Sequence, residues 1–301
     1  MKKILIIGGS NIDYIGKSFE NIRQYDSNIG EITVSFGGVA RNICENLARL
    51  ELDITFVTAV GKDFLSQAMI GELQELGVKV ILPDTKDMNT GGYLAIHNPE
   101  GDMELALCDQ EIIAAISPNY LQTINNIIND CDFLVIDTNL ESKAIDYLID
   151  NHSNKTIIID AISTKKAEKL INKSHKIDYL KCNVLEAQTI IGKNLSKEDL
   201  ISEFIKKDAQ SVIITDKAEE IFYLEAGKMK SSKVKSVDSK EIVNTTGVGD
   251  AMISGIIYGL VKDYSLESAI DYGKSLSCLT LKSQQANNKA LTKEILEKSR
   301  L

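Results

Sequence analysis

Proline is nearly absent from this chain of 301 residues: there are three, with no tryptophan, three histidines and five cysteines. So few chain-breaking residues exclude a proline-rich disordered segment, and a hydrophobic content of 44% is enough to build a large core. Cys44, Cys108, Cys131, Cys182 and Cys278 include no CxxC pair. That spacing indicates neither a disulfide framework nor a zinc site, so buried, reduced thiols are expected. His97, His152 and His175 share no metal-ligand spacing and are expected at structural or surface positions. Positive charge is also scarce, with 34 Lys and Arg against 43 Asp and Glu, a formal net charge of −9. This balance argues against a general nucleic-acid or anionic-membrane surface and favours a small polar ligand. Nor is there a long apolar run near the start, where Met1-Lys2-Lys3 precedes only Ile4 to Ile7. That is too short for a signal peptide or a membrane span; a cytoplasmic location follows, and sequons such as Asn154-Lys155-Thr156 are chance matches.

What is present is an alternation. Short β-branched runs at Ile4–Ile7, Ile54–Val57, Phe133–Ile136, Thr156–Ile159 and Val212–Thr215 read as buried strands. Helical patterns fall between them at about 40–51, 64–76, 119–130, 142–151, 164–173, 186–191 and 197–207. The pattern predicts an α/β fold with a mainly parallel central sheet covered by helices on both faces. Ligands of such sheets gather at the carboxyl ends of the strands, where Asp13, Asp137, Asn139, Asp160 and Asn183 fall. Residues of about 14–36 and 89–109 break the alternation and read as extended pieces, with a turn at Asn98-Pro99-Glu100-Gly101. They are expected to form a small β lid on a single domain spanning 1–301.

The richest stretch is Asn244-Thr245-Thr246-Gly247-Val248-Gly249-Asp250, followed by Ile253, Ile256, Ile257, Leu260 and Val261 at the spacing of one helix face. Glycines at a helix N-terminus let backbone N–H groups approach an anion. A carboxylate in such a cradle calls for a role, and accepting the proton of an attacking hydroxyl is one; a tight turn with Asp250 as a cap is the plainer alternative. No Walker-type loop competes, since Ser268–Ser275 (SAIDYGKS) has serine where the first glycine is required and reads as helix. Near the start, Gly8-Gly9-Ser10-Asn11-Ile12-Asp13 follows the first strand without the GxGxxG of a dinucleotide site, and Gly37-Gly38-Val39-Ala40-Arg41-Asn42 opens a helix. Asp and Asn suit the hydroxyls of a polyol, although both also serve in turns. Asn183 and Glu186 have the spacing of a helix capping box.

Taken in order, Gly9–Asp13, Gly37–Asn42, Asn183-Val184-Leu185-Glu186 and Asn244–Asp250 resemble the motifs of the ribokinase-like PfkB family of sugar and nucleoside kinases, over essentially the whole chain. Local phrases are similar to its pseudouridine-kinase branch: Gly38–Ile43 with Glu45–Ala48, Tyr93-Leu94-Ala95, Asp137–Leu140, Asp160–Lys166, Val243–Gly247 and Asn287-Asn288.

The resemblance implies a three-layer α/β/α fold and ATP-dependent phosphorylation of the 5′-hydroxyl of pseudouridine, with ribokinase, an adenosine or inosine kinase, or a non-catalytic sugar- or nucleoside-binding regulator as alternatives. It implies Asp250 as base, ionised at an ordinary pKa of about 4, and Gly247, Val248 and Gly249 as anion hole. Substrate contacts would come from Asn11, Asp13, Gly37, Gly38, Asn42, Asp137 and Asn139, and nucleotide contacts from Asn183, Thr215, Lys217, Thr246 and Asn287. Mg²⁺ would be held through Glu186 and Asn183, a monovalent cation is admitted, and the lid strands would supply a homodimer surface. Two positions depart from the family: Asn244 replaces its usual Asp, and Asp216–Glu220 follow Thr215 where glycines are usual, a change that bears on nucleotide choice.

Overall fold

Strand β1 (Lys3–Ile7) sends Leu5 and Ile7 into one apolar cluster and Ile4 and Ile6 into another, so the first run of the chain already separates two faces of a sheet. The computed structural model describes residues 2–234 and 237–300. After β1 the chain makes β2 (Asn11–Ser18) and β3 (Gly30–Gly37), then α1 (Val39–Arg49), β4 (Asp53–Val57), α2 (Phe64–Glu75) and β5 (Lys79–Ile81). Strands β6 (Gly92–His97) and β7 (Met103–Asp109) are followed by two short helices, α3 (Pro118–Thr123) and α4 (Asn125–Asp130), and by β8 (Phe133–Asp137). The chain continues through α5 (Ser142–Asn151), β9 (Thr156–Asp160), α6 (Thr164–Ala167), β10 (Tyr179–Asn183), α7 (Val184–Ile191), α8 (Lys197–Lys206) and β11 (Ser211–Thr215). It closes with the hairpin β12 (Ile221–Glu225) and β13 (Lys228–Ser232), then α9 (Val248–Val261), α10 (Leu266–Leu281) and α11 (Lys293–Lys298).

Nine strands form one sheet in the order β13-β12-β11-β10-β9-β8-β1-β4-β5, parallel from β11 to β5 and antiparallel at β11–β12 and β12–β13. Helices α3 to α8 pack on one face; α1, α9, α10 and α11 cover the other. A second, four-stranded sheet has the order β3-β2-β6-β7, with Asn98–Gly101 turning between β6 and β7. Among the described residues no helix is long and apolar enough to cross a membrane.

Several expectations need correction. The helix expected over 119–130 divides at Ile124, and the one over 164–173 is a single α turn continued by 3₁₀ turns. Helix α9 is buried on all sides from Ala251 to Val261, so the stripe read as amphipathic is part of a fully enclosed helix lying against α1 and α10. Strand β10 was not legible because Lys181 and Asn183 interrupt its apolar character. Cys44, Cys131 and Cys182 are buried as expected, but Cys108 is exposed on β7 and Cys278 is half-buried. His152 is buried, between Asn125 and the Leu148 carbonyl.

Candidate active site

Helix α9 begins at Gly247, whose φ of 79° is left-handed backbone, and no side chain caps it. The first turn therefore leaves the N–H groups of Val248, Gly249 and Asp250 without intrahelical partners, because Ala251 N is the first to reach back, to the Gly247 carbonyl at 2.8 Å. The loop before it is fixed by Asn244, which accepts from Thr246 N at 2.9 Å and donates to the Gln284 carbonyl at 3.1 Å. A Cβ at Gly247 would stand 2.2 Å from the Ala286 carbonyl oxygen, so glycine is required for space as well as for φ.

Asp250, in the first turn of α9, accepts a hydrogen bond from Asn42 Nδ2 of α1 at 2.7 Å. Burial raises its pKa to about 7; Asp160 and Asp137 push in the same direction, while the Asn42 bond and Lys181 oppose them. The ordinary value expected from sequence is thereby corrected. Lys181 lies in the middle of β10, buried, with Nζ 3.0 Å from Asp160 Oδ2 and 3.3 Å from where a Cβ on Gly249 would be. Burial works against its charge, but Asp160, Glu186 and Asp250 outweigh this and leave its pKa above the usual lysine value. Sequence reasoning missed this residue; its place two positions before Asn183, which ends the strand, was the available signal.

Beside the α9 N-terminus opens a cavity of about 600 Å³, reached by Lys181, Thr215, Lys217, Thr245 and Gly249 and walled by apolar side chains such as Ile221. On the other side of Asp250, the turns after β1 and β3 meet. Asn11 donates to Asp13, and a Cβ at Gly37 would stand 2.3 Å from Asp13 Oδ2, so this glycine makes room for the carboxylate. Burial raises the Asp13 pKa to about 6, against Asn11 and Arg41. Gly38, at a φ of 101°, turns the chain into α1 against Gly9 and Ser10.

Other expected site residues are placed differently. Asp137 is buried and accepts from Gly9 N at 3.1 Å, Ala40 N at 3.0 Å and Asn139, so it ties β8 to the start of α1. Asn139 bonds Asp137 and accepts from Lys166, a second cation the sequence reading did not single out. Asn183 and Glu186 form a capping box for α7: Glu186 N donates to Asn183 Oδ1 at 2.9 Å and Glu186 accepts from both nitrogens of Asn183. Thr245 lines the cavity where Thr246 was expected, and Thr246 N is spent on Asn244. Asn287 is buried behind Asn42, its amide engaged by the Asn42 carbonyl and by Arg41. Among the described residues, no group of three or more His, Cys, Asp or Glu could hold a metal ion. With both Glu186 oxygens engaged by Asn183, this donor set suits an ion that keeps its own water and phosphate ligands.

A carboxylate and free amides at a helix start, beside a cavity of about 600 Å³ on a three-layer α/β/α sheet, suit a phosphotransferase with an alcohol acceptor, the class of the family the sequence matches. The chain belongs to the pfkB family carbohydrate kinases, whose model matches residues 1–293. It is 30% identical to pseudouridine kinase of Escherichia coli over 96% of this chain and 93% of that protein. It is 25% identical to guanosine-inosine kinase of Exiguobacterium acetylicum over 95% and 96%. A carbohydrate kinase from Agrobacterium tumefaciens superposes with a TM-score of 0.87 at 26% identity, covering 99% of this chain and 97% of its own. Ribokinase from Thermotoga maritima shares the ribokinase-like fold, with a TM-score of 0.85 at 19% identity and 99% of both chains covered.

Proposed function

We propose that this protein phosphorylates the 5′-hydroxyl of pseudouridine at the expense of ATP, giving pseudouridine 5′-phosphate and ADP. The observation that carries the reading is Asp250 in the first turn of α9, beside three unpartnered amides and held by Asn42. The full-length similarity to pseudouridine kinase supports the choice of acceptor.

The ribose hydroxyls bind Asp13, Asn42 and the turn at Gly37 and Gly38, with Asn11 orienting Asp13. The 5′-oxygen attacks the γ-phosphorus, the bond from that phosphorus to the β–γ bridging oxygen breaks, and the hydroxyl proton passes to Asp250. A base titrating near 7 is better matched to this transfer at neutral pH than one near 4. The amides of Val248, Gly249 and Asp250 receive the charge of the moving phosphoryl group, and Lys181 adds a cation beside them. The nucleotide occupies the cavity near Thr215 and Lys217. Glu186 and Asn183 would hold Mg²⁺ through water, and the ion would supply neutralisation of phosphate charge.

The same proposal includes cytoplasmic action, activation by a monovalent cation and a homodimer. For the last, bridged positions in the four-stranded sheet place Ile32, Val34, Leu94, Leu105 and Leu107 on one face, all exposed. Burying such a face against the same face of a second copy is what an isologous two-fold dimer does.

ADP release with Mg-ATP, compared for pseudouridine, uridine, guanosine, inosine, adenosine and ribose with and without K⁺, tests the assignment. A strong preference for pseudouridine is expected; preference for guanosine, inosine or ribose overturns the acceptor but keeps the chemistry, and no turnover with any overturns the reading. Sedimentation of the wild type and of Leu107→Asp tests the dimer: a monomeric wild type rejects it.

A further inference from the structure

Asn42 is an amide whose two ends have opposite chemistry, and nothing in Asp250 itself dictates which end faces it, since a carboxyl titrating near neutrality can both accept and donate. The neighbours do dictate it. Arg41 is fully buried and its guanidinium can only donate. Its Nη1 points at Asn42 Oδ1 at 3.3 Å, Asn287 Oδ1 at 3.2 Å and the Phe36 carbonyl at 3.3 Å. Both amide oxygens are thereby drawn to one cation, which turns both NH₂ groups outward. That of Asn287 donates to the Asn42 carbonyl at 2.8 Å, and that of Asn42 donates to Asp250 Oδ2 at 2.7 Å. Arg41 is itself held by Glu45 at 2.7 Å and faced by Glu72 at 3.7 Å, with Arg49 and Lys289 on the far side of Glu45.

We propose that Arg41 and Asn287 are positioning residues that fix the orientation of the Asn42 carboxamide, so that a donor and never an acceptor is presented to Asp250. Neither touches the reacting atoms. Their effect reaches the reaction through the ease with which Asp250 ionises, since a donor favours the carboxylate and an amide oxygen would oppose it. The other charged groups facing Asp250 are Asp160 from the end of β9, Asp137 from the end of β8 and Lys181 from β10. The C-terminal segment thus reaches the proposed base through one amide, and the root of lid strand β3 joins the same unit through the Phe36 carbonyl.

The inference rests on Asp250 being the base, but its test does not require the acceptor to be known. Carboxyl ¹³C NMR of protein labelled at aspartate follows each side chain with pH, and Asp250→Asn identifies the Asp250 resonance by its loss. In Asn287→Ala, the Asp250 titration should move upward by about one pH unit, the scale of one weakened bond to a charged group; Arg41→Lys, which keeps the charge but not the fork of donors, should move it in the same direction. An unchanged Asp250 titration in folded Asn287→Ala would overturn the proposal, as would an Arg41→Lys shift absent beside a shift in Asn287→Ala. Where turnover is measurable, the acid limb of kcat should move with the NMR value while KM for ATP stays put. If the protein turns over nothing but the resonance still shifts, the kinase reading fails and the positioning role stands.

Discussion

Replacing Asp250 by asparagine should remove turnover and at the same time make the fold more stable at alkaline pH. The carboxyl starts from 3.8 in the unfolded chain and is raised to about 7 in the folded one, chiefly by burial. Between those values the folded chain keeps a proton that the unfolded chain has released, so stability falls as pH rises through the window, and the loss is complete above about 7. A separation of about three pH units at 1.36 kcal/mol each sets an upper bound of about 4 kcal/mol at pH 8.5, against about 1.5 kcal/mol at pH 5. Because Asp250 opens partly to the cleft, solvent screening reduces both figures. The neutral amide of the Asp250→Asn variant carries no such cost at either pH. Urea unfolding of wild type and Asp250→Asn at pH 5 and pH 8.5 should show a stabilisation about 1–3 kcal/mol larger at the higher pH. Other titrating groups cancel because they are common to both proteins. An equal difference at the two pH values would refute the reasoning, since it would mean that Asp250 titrates alike in both states.

Turnover itself should fall about tenfold per unit below pH 7, and more steeply below about 6 as Asp13 also protonates; a flat kcat/KM between pH 5.5 and 8 would exclude both carboxylates. Gly247→Ala places a side chain in left-handed backbone, at about 1–2 kcal/mol, and against the Ala286 carbonyl. The loop must shift, and kcat should drop at least about tenfold as the amides lose their aim; wild-type kcat in this variant would show that the amides are not used. Lys181→Met should lower kcat by about a hundredfold with the nucleoside KM little changed, whereas unchanged kcat would remove Lys181 from the phosphate path. Glu297→Ala leaves the buried hydroxyls of Tyr258 and Tyr272 without the carboxylate each reaches at 2.7 Å. A loss of about 2–4 kcal/mol by urea unfolding is expected, with kcat at 20 °C unaltered, and wild-type stability would contradict it.

The order of motifs and the alternation of apolar runs disclosed the parallel sheet and the helix beginning beside Gly247, because those features follow from local periodicity and from glycine. What stayed hidden depends on long-range surroundings. Asp137 and Asn287 look like ligands from their positions near strand ends and motifs, yet the backbone amides of Gly9 and Ala40 and the guanidinium of Arg41 claim them first. Glu186 is likewise held by its own helix cap, three residues from its partner. Lys181 was concealed because one charged residue in a five-residue strand breaks the apolar pattern that announces a strand. The raised pKa of Asp250 has no sequence signal at all, since it comes chiefly from burial in the folded chain, adjusted by neighbours on α1, β8, β9 and β10.

The bond between Asn42 and Asp250 spans 208 positions of sequence, and that between Arg41 and Asn287 spans 246. During synthesis the ribosome releases the first partner of each pair long before the second, so α1 must wait, with Arg41 held by Glu45 but lacking Asn287, for the C-terminal residues to arrive. The proposed site is then among the last parts of the molecule to come into being, because neither Asn42 nor Arg41 can make these bonds until Asp250 and Asn287 have been made.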